Sequence, residues 1–148
     1  MAQSKKVRGQ GKVLEFKNRR ATFDVAVEKT FEAGLILTGD EIKSIRSMRA
    51  QLNGAYVKML GAKMVIVGMH LSEAGAPERS RPLLLHAKEI EEIEKAITQA
   101  GKTAVPLRLY LKRGWAKLEV GLGAGRKAHD KRNLIKERDL DRIERKGE

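Results

Sequence analysis

Apolar and polar positions alternate with a period of two along much of this chain, broken by stretches of helical period. Phe23, Val25 and Val27 fall on one face of a predicted strand, and Phe31 to Leu37 predicts a second, with Gly34 as a bulge or a point of close approach. Thr38-Gly39-Asp40-Glu41 is a T-x-x-E capping box that opens a short helix, with Ile42 and Ile45 inward and Lys43, Arg46 and Arg49 outward. Ala55 to Leu60 and Lys63 to Leu71 read as a hairpin through Gly61-Ala62, and residues 72–82 read as a loop. Leu83-Leu84-Leu85 enters a helix whose apolar stripe is Ile90, Ile93, Ile97 and Ala100, with Gly101 closing it. Two alternating strands follow. Val105, Leu107, Leu109 and Leu111 share one face of the first, and Pro106 marks an edge or a strand start. Ala116, Leu118, Val120 and Leu122 share one face of the second, with Trp115, Lys117 and Glu119 opposite and Lys112-Arg113-Gly114 as the hairpin.

About six strands linked largely by hairpins make a mainly β domain, and a closed antiparallel six-stranded OB-type barrel with two to three flanking helices removes the sheet edges. The apolar pattern ends at Leu122. Residues 1–17 are Gly-, Ser- and Lys-rich and read as a basic mobile arm, residues 18–123 as the barrel, and residues 124–148 as a basic tail. A helix as polar as this tail is marginal alone, so it is expected to be disordered in the free protein and helical when docked.

Charge sharpens this picture. The chain of 148 residues carries 31 Lys+Arg against 19 Asp+Glu, a net charge of +12. Residues 1–20 hold seven basic and one acidic residue, residues 126–148 hold nine and six, and the body between them holds fifteen and twelve. Basic extensions on a nearly balanced body call for a polyanionic partner. The segment Gly125-Arg126-Lys127-Ala128-His129-Asp130-Lys131-Arg132 packs four cations around one imidazole and one carboxylate, and like charges this close gain most beside a polyanion. There is no cysteine, which excludes disulfides, thiolate zinc sites and a Cys nucleophile. No apolar run reaches membrane length, and the basic N-terminus lacks an apolar h-region, so a cytoplasmic protein without membrane contact is expected.

Catalysis is hard to build from these residues. His70, His86 and His129 have no partners at triad or metal-ligand spacing, there is no Walker-type loop, and Gly121-x-Gly123-x-Gly125 is not a dinucleotide fingerprint. Glu41 reads as a helix cap, and the adjacent pair His129-Asp130 lacks preorganisation. No enzyme, cofactor or metal is expected. An RNA-processing enzyme using Glu41 or His129-Asp130 would cleave RNA and lose that activity on His129→Ala or Glu41→Gln. With aromatics at 4%, base stacking cannot be the main mode of binding, and cations tracking a folded RNA backbone suit the composition better. Trp115 and Tyr110 are the candidates to stack on an exposed base.

Five stretches taken together resemble small protein B, the SsrA-binding protein family of bacterial trans-translation. They are Asn18-Arg19-Arg20-Ala21, the run from Phe31 to Arg46 (FEAGLILTGDEIKSIR), Leu83-Leu84-Leu85-His86, Val105-Pro106-Leu107, and the basic segment from Gly125 to Arg132. Order and spacing match from about Asn18 to Arg142. The resemblance implies a non-catalytic OB-type barrel that binds the tRNA-like domain of transfer-messenger RNA and delivers it to stalled ribosomes. It implies RNA-binding roles for Asn18, Glu32 and Leu84, to which the basic and outward positions Arg19, Arg20, Lys43, Arg46, Trp115, Lys117, Arg126 and Lys127 are added. It also implies that His129, Asp130, Lys131 and Arg132 begin a tail that enters the empty mRNA channel at the small-subunit decoding centre, where His129 stacks on a base. A monomer, one per RNA, is expected. The alternative is a barrel that binds structured RNA or ribosomes non-specifically, without rescue activity.

Overall fold

In a computed structural model of the chain, residues 14–72, 75, 79–126 and 128–147 are described. Most of the expected arm, part of the 72–82 loop and Lys127 lie outside them. The elements run β1 (Glu15–Lys17), α1 (Arg19–Asp24), β2 (Val25–Leu35), α2 (Gly39–Arg46), β3 (Ala50–Gln51), β4 (Tyr56–Leu60), β5 (Lys63–Val67), β6 (His70–Leu71), β7 (Arg81–Leu84), α3 (Ala87–Ala100), β8 (Thr103–Lys112), β9 (Trp115–Gly125) and α4 (Ala128–Gly147).

Seven strands form one antiparallel sheet in the order β1-β8-β4-β5-β7-β2-β9, and β8 also pairs with β9, so the sheet curls back on itself. Strands β3 and β6 pair separately. The mainly β, antiparallel expectation holds, but the six-stranded closed barrel does not. The sheet has a seventh strand, β1, which shares an edge of β8 with β4, and β4 meets β8 through the single register pair Val57↔Ala104. That seam is too short to be a continuous wall of ladder hydrogen bonds.

The curled sheet encloses the main core, in which Ala33, Ile45, Ile66, Met69, Leu71, Ile93, Leu109, Leu118 and Val120 have no exposed surface. Helix α3 caps it through Ile93, with Ile90 and Ile97 partly buried beside it, whereas Ala100 lies exposed. Full burial of one such isoleucine contributes about 2 kcal/mol. A second small cluster, of Ala21, Val25 and Val105 with Val27 and Leu107 against it, seats α1 outside the sheet.

Several local readings change. Asn18 caps α1, so Phe23 belongs to a helix, and β2 is one strand of eleven residues with a register shift between Val27 and Lys29. Residues 15–17, read as arm, form β1 against β8. Leu83 and Leu84 end strand β7 instead of entering a helix. In β8 the register shifts between Pro106 and Arg108. That bulge reverses the inward parity: Val105 and Leu107 face the small cluster, whereas Leu109 and Leu111 face the main core. Pro106 is buried at this bulge, where its missing amide costs no ladder bond. The β8–β9 turn is a two-residue loop with positive φ at Arg113 (53°) and Gly114 (81°), the hand that matches strand twist. The tail also departs from its expected disorder, since Ala128–Gly147 are helical. Among the described residues no helix is long and apolar enough to cross a membrane.

Candidate nucleic-acid interface

Four candidate residues meet on the outer face of β2, β7 and β9. Gly34 of β2 pairs with both Leu84 of β7 and Lys117 of β9, which places Glu32, Leu84, Trp115 and Lys117 within one patch. A Cβ on Gly34 would stand 3.4 Å from the Leu84 Cβ, so glycine lets Leu84 lie across the strand. Two adjoining grooves, of about 350 and 360 Å3, share Gly34, Leu84 and Lys117. The first is polar, lined by Glu32, His86 and Glu89. The second is apolar, lined by Leu35, Ile36, Leu37, Ile42 and Trp115. Trp115 is 72% exposed and Leu84 59%, and the apolar groove runs between them. Lys43 and Arg46 are exposed on α2, whose Ile42 reaches the apolar groove.

Glu32 is held in place. Tyr110 donates its hydroxyl to the Glu32 carboxylate, and Lys112 Nζ stands 3.8 Å from Oε2. Burial pushes the Tyr110 phenol up, and the hydrogen bond and charge of Glu32 push it further. Tyr110 is therefore a buried, protonated donor, and only Trp115 of the expected aromatic pair is free to stack. The Arg108 guanidinium lies 4.4 Å from the Tyr110 ring and pairs with Glu15 at 3.0 Å and Glu119 at 3.4 Å. This stripe of Glu15, Arg108, Tyr110, Glu119 and Glu32 fixes the outer face in one arrangement. Sequence reasoning missed it because its members come from four strands and only register brings them together.

The remaining candidates lie elsewhere. Asn18 is 3% exposed and is a structural clamp: Nδ2 donates to the carbonyls of Pro106 (2.9 Å) and Leu52 (3.2 Å), and Oδ1 accepts from the Ala21 amide (3.3 Å). It ties α1 to β8 and to the segment before β4, and leaves its neighbours Arg19 and Arg20 exposed. Arg126 follows β9, and its amide donates to the Asp24 carbonyl at 2.7 Å. Lys131 and Arg132 lie on α4, and Lys131 reaches Asp24 at 3.1 Å. These residues make a second basic area around α1, separate from the Trp115 face. Lys127 lies outside the described residues. His129 and Asp130 lie in the first turn of α4, and their side chains are not described.

Glu41 is more than a cap. Its side chain accepts from the Thr38 amide at 2.8 Å while its own amide reaches Thr38 Oγ1 at 3.3 Å. The carboxylate also receives Arg79 at 2.9 and 2.6 Å and the fully buried Arg81. Burial pushes this carboxyl up, but the hydrogen bonds from Arg79, Thr38 and Arg81 outweigh it and bring it down to about 2. A carboxylate saturated by two arginines, one of them buried, is poorly placed to act as a base. Among the described residues no cluster of His, Cys, Asp or Glu could hold a metal ion.

The profile of the family described as SmpB protein matches residues 15–147. An SsrA-binding protein of Lysinibacillus sphaericus is 44% identical over 142 residues, covering 91% of each chain. One of Caulobacter vibrioides is 44% identical over 133 residues, covering 84% of this chain and 88% of its own. A solved structure reported as "tmRNA-SmpB: a journey to the center of the bacterial ribosome" is 31% identical, with a TM-score of 0.66, covering 82% of this chain and 94% of its own.

Proposed function

This chain belongs to the SmpB family of SsrA-binding proteins, and from that premise we propose how its surfaces divide the work of trans-translation. It binds transfer-messenger RNA and brings it to the ribosome. The observation that carries the assignment of a face is Trp115, 72% exposed at the lip of an apolar groove with Leu84 across it and Lys117 beside it. An aromatic plane, an aliphatic wall and a flanking cation suit an unstacked base followed by a phosphate. Glu32, aimed by Tyr110 and Lys112, offers an acceptor to base amino groups or ribose hydroxyls. The tRNA-like domain is the part of the RNA whose exposed loop bases fit such a face.

Arg19, Arg20 and Arg126 around α1 add contacts to RNA phosphate, with Lys127 next to Arg126 in sequence, and Lys131 and Arg132 on the tail helix serve the ribosome. The tail helix, carrying His129 and Asp130 at its start, enters the empty mRNA channel at the decoding centre, and one protein acts per RNA. No step requires catalysis. Lys43 and Arg46 on α2 extend phosphate contact from the apolar groove.

The experiment is a salt-titrated binding assay of the full chain against transfer-messenger RNA, its isolated tRNA-like domain and an unrelated structured RNA of equal length. Binding to the first two is expected to persist where the control has dissociated. Equal affinities and equal salt slopes for all three would mean that charge alone drives binding, and the assigned face would be wrong.

A further inference from the structure

Resting on the assignment of the Trp115 face to RNA, we propose that Glu32 reads a ribose 2′-hydroxyl of the bound RNA through its Oε1 oxygen, and that Tyr110 is the positioning residue that leaves this one oxygen for the RNA.

Register sets the arrangement. Glu32 of β2 stands opposite Glu119 of β9, which stands opposite Arg108 of β8, and the next row is Gly34, Lys117 and Tyr110. Tyr110 reaches diagonally across β9 to donate its hydroxyl to Glu32, and the bond falls on Oε2. Lys112 Nζ also approaches Oε2, at 3.8 Å. Among the described residues no hydrogen bond or ion pair falls on Oε1. Glu119, the like charge directly opposite Glu32, is taken by Arg108 Nε at 3.4 Å, which offsets its repulsion of Glu32. The same guanidinium covers the Tyr110 ring at 4.4 Å and is itself held by Glu15 at 3.0 Å. Tyr110 is thus fixed on one side by packing and on the other by its bond to Glu32.

A carboxylate with both oxygens free takes paired donors, such as the two on the Watson–Crick edge of guanine. Glu32 has one oxygen committed, so it is suited to a single donor. The grooves indicate which one. The apolar groove between Leu84 and Trp115 suits the base plane, and the polar groove of Glu32 and His86 adjoins it at Gly34 and Leu84. Lys117 lines both and suits the phosphate. A sugar lies between its base and its phosphate, so a base beside Trp115 turns its ribose toward Glu32. The 2′-hydroxyl is the donor that RNA has there and DNA lacks. Its bond to an ionised acceptor is stronger than a neutral one. The carboxylate itself is repelled by phosphate, and a specific bond of this kind offsets that cost. Because Tyr110 aims Glu32 before the RNA arrives, little side-chain freedom is lost on binding.

The test places a single 2′-deoxy substitution in turn at each unpaired nucleotide of the tRNA-like domain and measures the affinity of the full chain for each at fixed salt. One position is expected to cost the unsubstituted protein about tenfold, the loss of one hydrogen bond to a charged group. Glu32→Ala, at an exposed side chain, should bind the all-ribose domain about tenfold more weakly and be indifferent to that deoxy position. Tyr110→Phe keeps the ring under Arg108 but frees Oε2, so the deoxy cost should shrink to about two- to threefold. Added to Glu32→Ala, it should weaken binding no further, whereas a tyrosine with only a structural role would weaken both chains equally. A deoxy cost that Glu32→Ala leaves intact, or a Glu32→Ala loss with no deoxy cost at any position, overturns the 2′-hydroxyl reading. A deoxy cost that Tyr110→Phe leaves at tenfold, or a Tyr110→Phe loss that persists beside Glu32→Ala, overturns the positioning role. An unrelated structured RNA of equal length is titrated in parallel. Preference for the tRNA-like domain without a Glu32-dependent deoxy position removes only the 2′-hydroxyl reading, and equal affinity for the two RNAs removes the assignment of the face itself.

Discussion

Glu41 shows how much one side chain can carry. Its carboxyl titrates at about 2 in the folded chain against an ordinary value of 4.5. A depressed folded pKa stabilises the fold above the unfolded value, and that contribution is lost as pH falls from about 4.5 toward 2, by an amount on the order of 3 kcal/mol. Glu41→Gln removes the carboxylate that faces the buried Arg81 guanidinium and should cost about 3 to 5 kcal/mol at neutral pH. Denaturation midpoints across pH check both: the variant should lose stability less steeply below pH 4.5 than the parent, and parallel curves would refute the assignment. Trp115 is the opposite case. Trp115→Ala should change stability by less than about 0.5 kcal/mol because the ring is exposed. It should weaken RNA binding by about 1 to 3 kcal/mol if a base stacks there, which a thermal melt beside a binding titration would separate. The capping role of Glu41 was legible from T-x-x-E spacing. Its arginine partners were not, because Arg79 and Arg81 lie some forty positions away and nothing in local pattern joins them.

Strands and helices were legible where alternation was uninterrupted. All four inward positions expected in β9 are buried in the main core. Helix α3 appeared with Ile93 innermost and Gly101 in the left-handed conformation at φ 65°. Pattern reading failed where a register shift changed parity, as between Pro106 and Arg108 in β8, and where Asn18 nucleated the short helix α1 inside an apparent strand. A second glycine defines how closely β2 and β9 approach. A Cβ on Gly123 would meet the Ala26 carbonyl oxygen at 1.9 Å, and that atom is backbone. Gly123→Ala should therefore force the strands apart and cost roughly 3 kcal/mol, toward the upper end of overpacking penalties. A melting temperature equal to the parent's would show that the strands can separate without loss. Asn18→Ala tests α1 in the same way. Two buried carbonyls lose their donor at about 1 to 3 kcal/mol each, so thermal stability and RNA affinity should fall together. Loss of affinity with an unchanged melt would make Asn18 a direct RNA contact.

At the scale of the whole molecule, the body and the tail should separate in function. Among the described residues the main core draws on none later than Leu122, so truncation after Gly125 should leave the fold and most transfer-messenger RNA binding while abolishing peptide tagging on stalled ribosomes. Normal tagging by the truncated chain in a reconstituted system would overturn that division. Composition and short-range pattern alone determined that this is a mainly β, basic, cysteine-free chain with charged ends, and the five matching stretches were enough to place its family. Those features are properties of neighbouring residues, set by side-chain period, backbone propensity and summed charge. Only the tertiary structure decided which side of β8 each leucine occupies, that the sheet curls without closing as a six-stranded barrel, and that Asn18 is a clamp. It also decided that Glu32, Leu84, Trp115 and Lys117 share a face while Arg19, Arg20 and Lys131 gather around α1. Each of these depends on strand register and on contacts between residues tens of positions apart, which the long-range pairing of the sheet selects and no local pattern encodes.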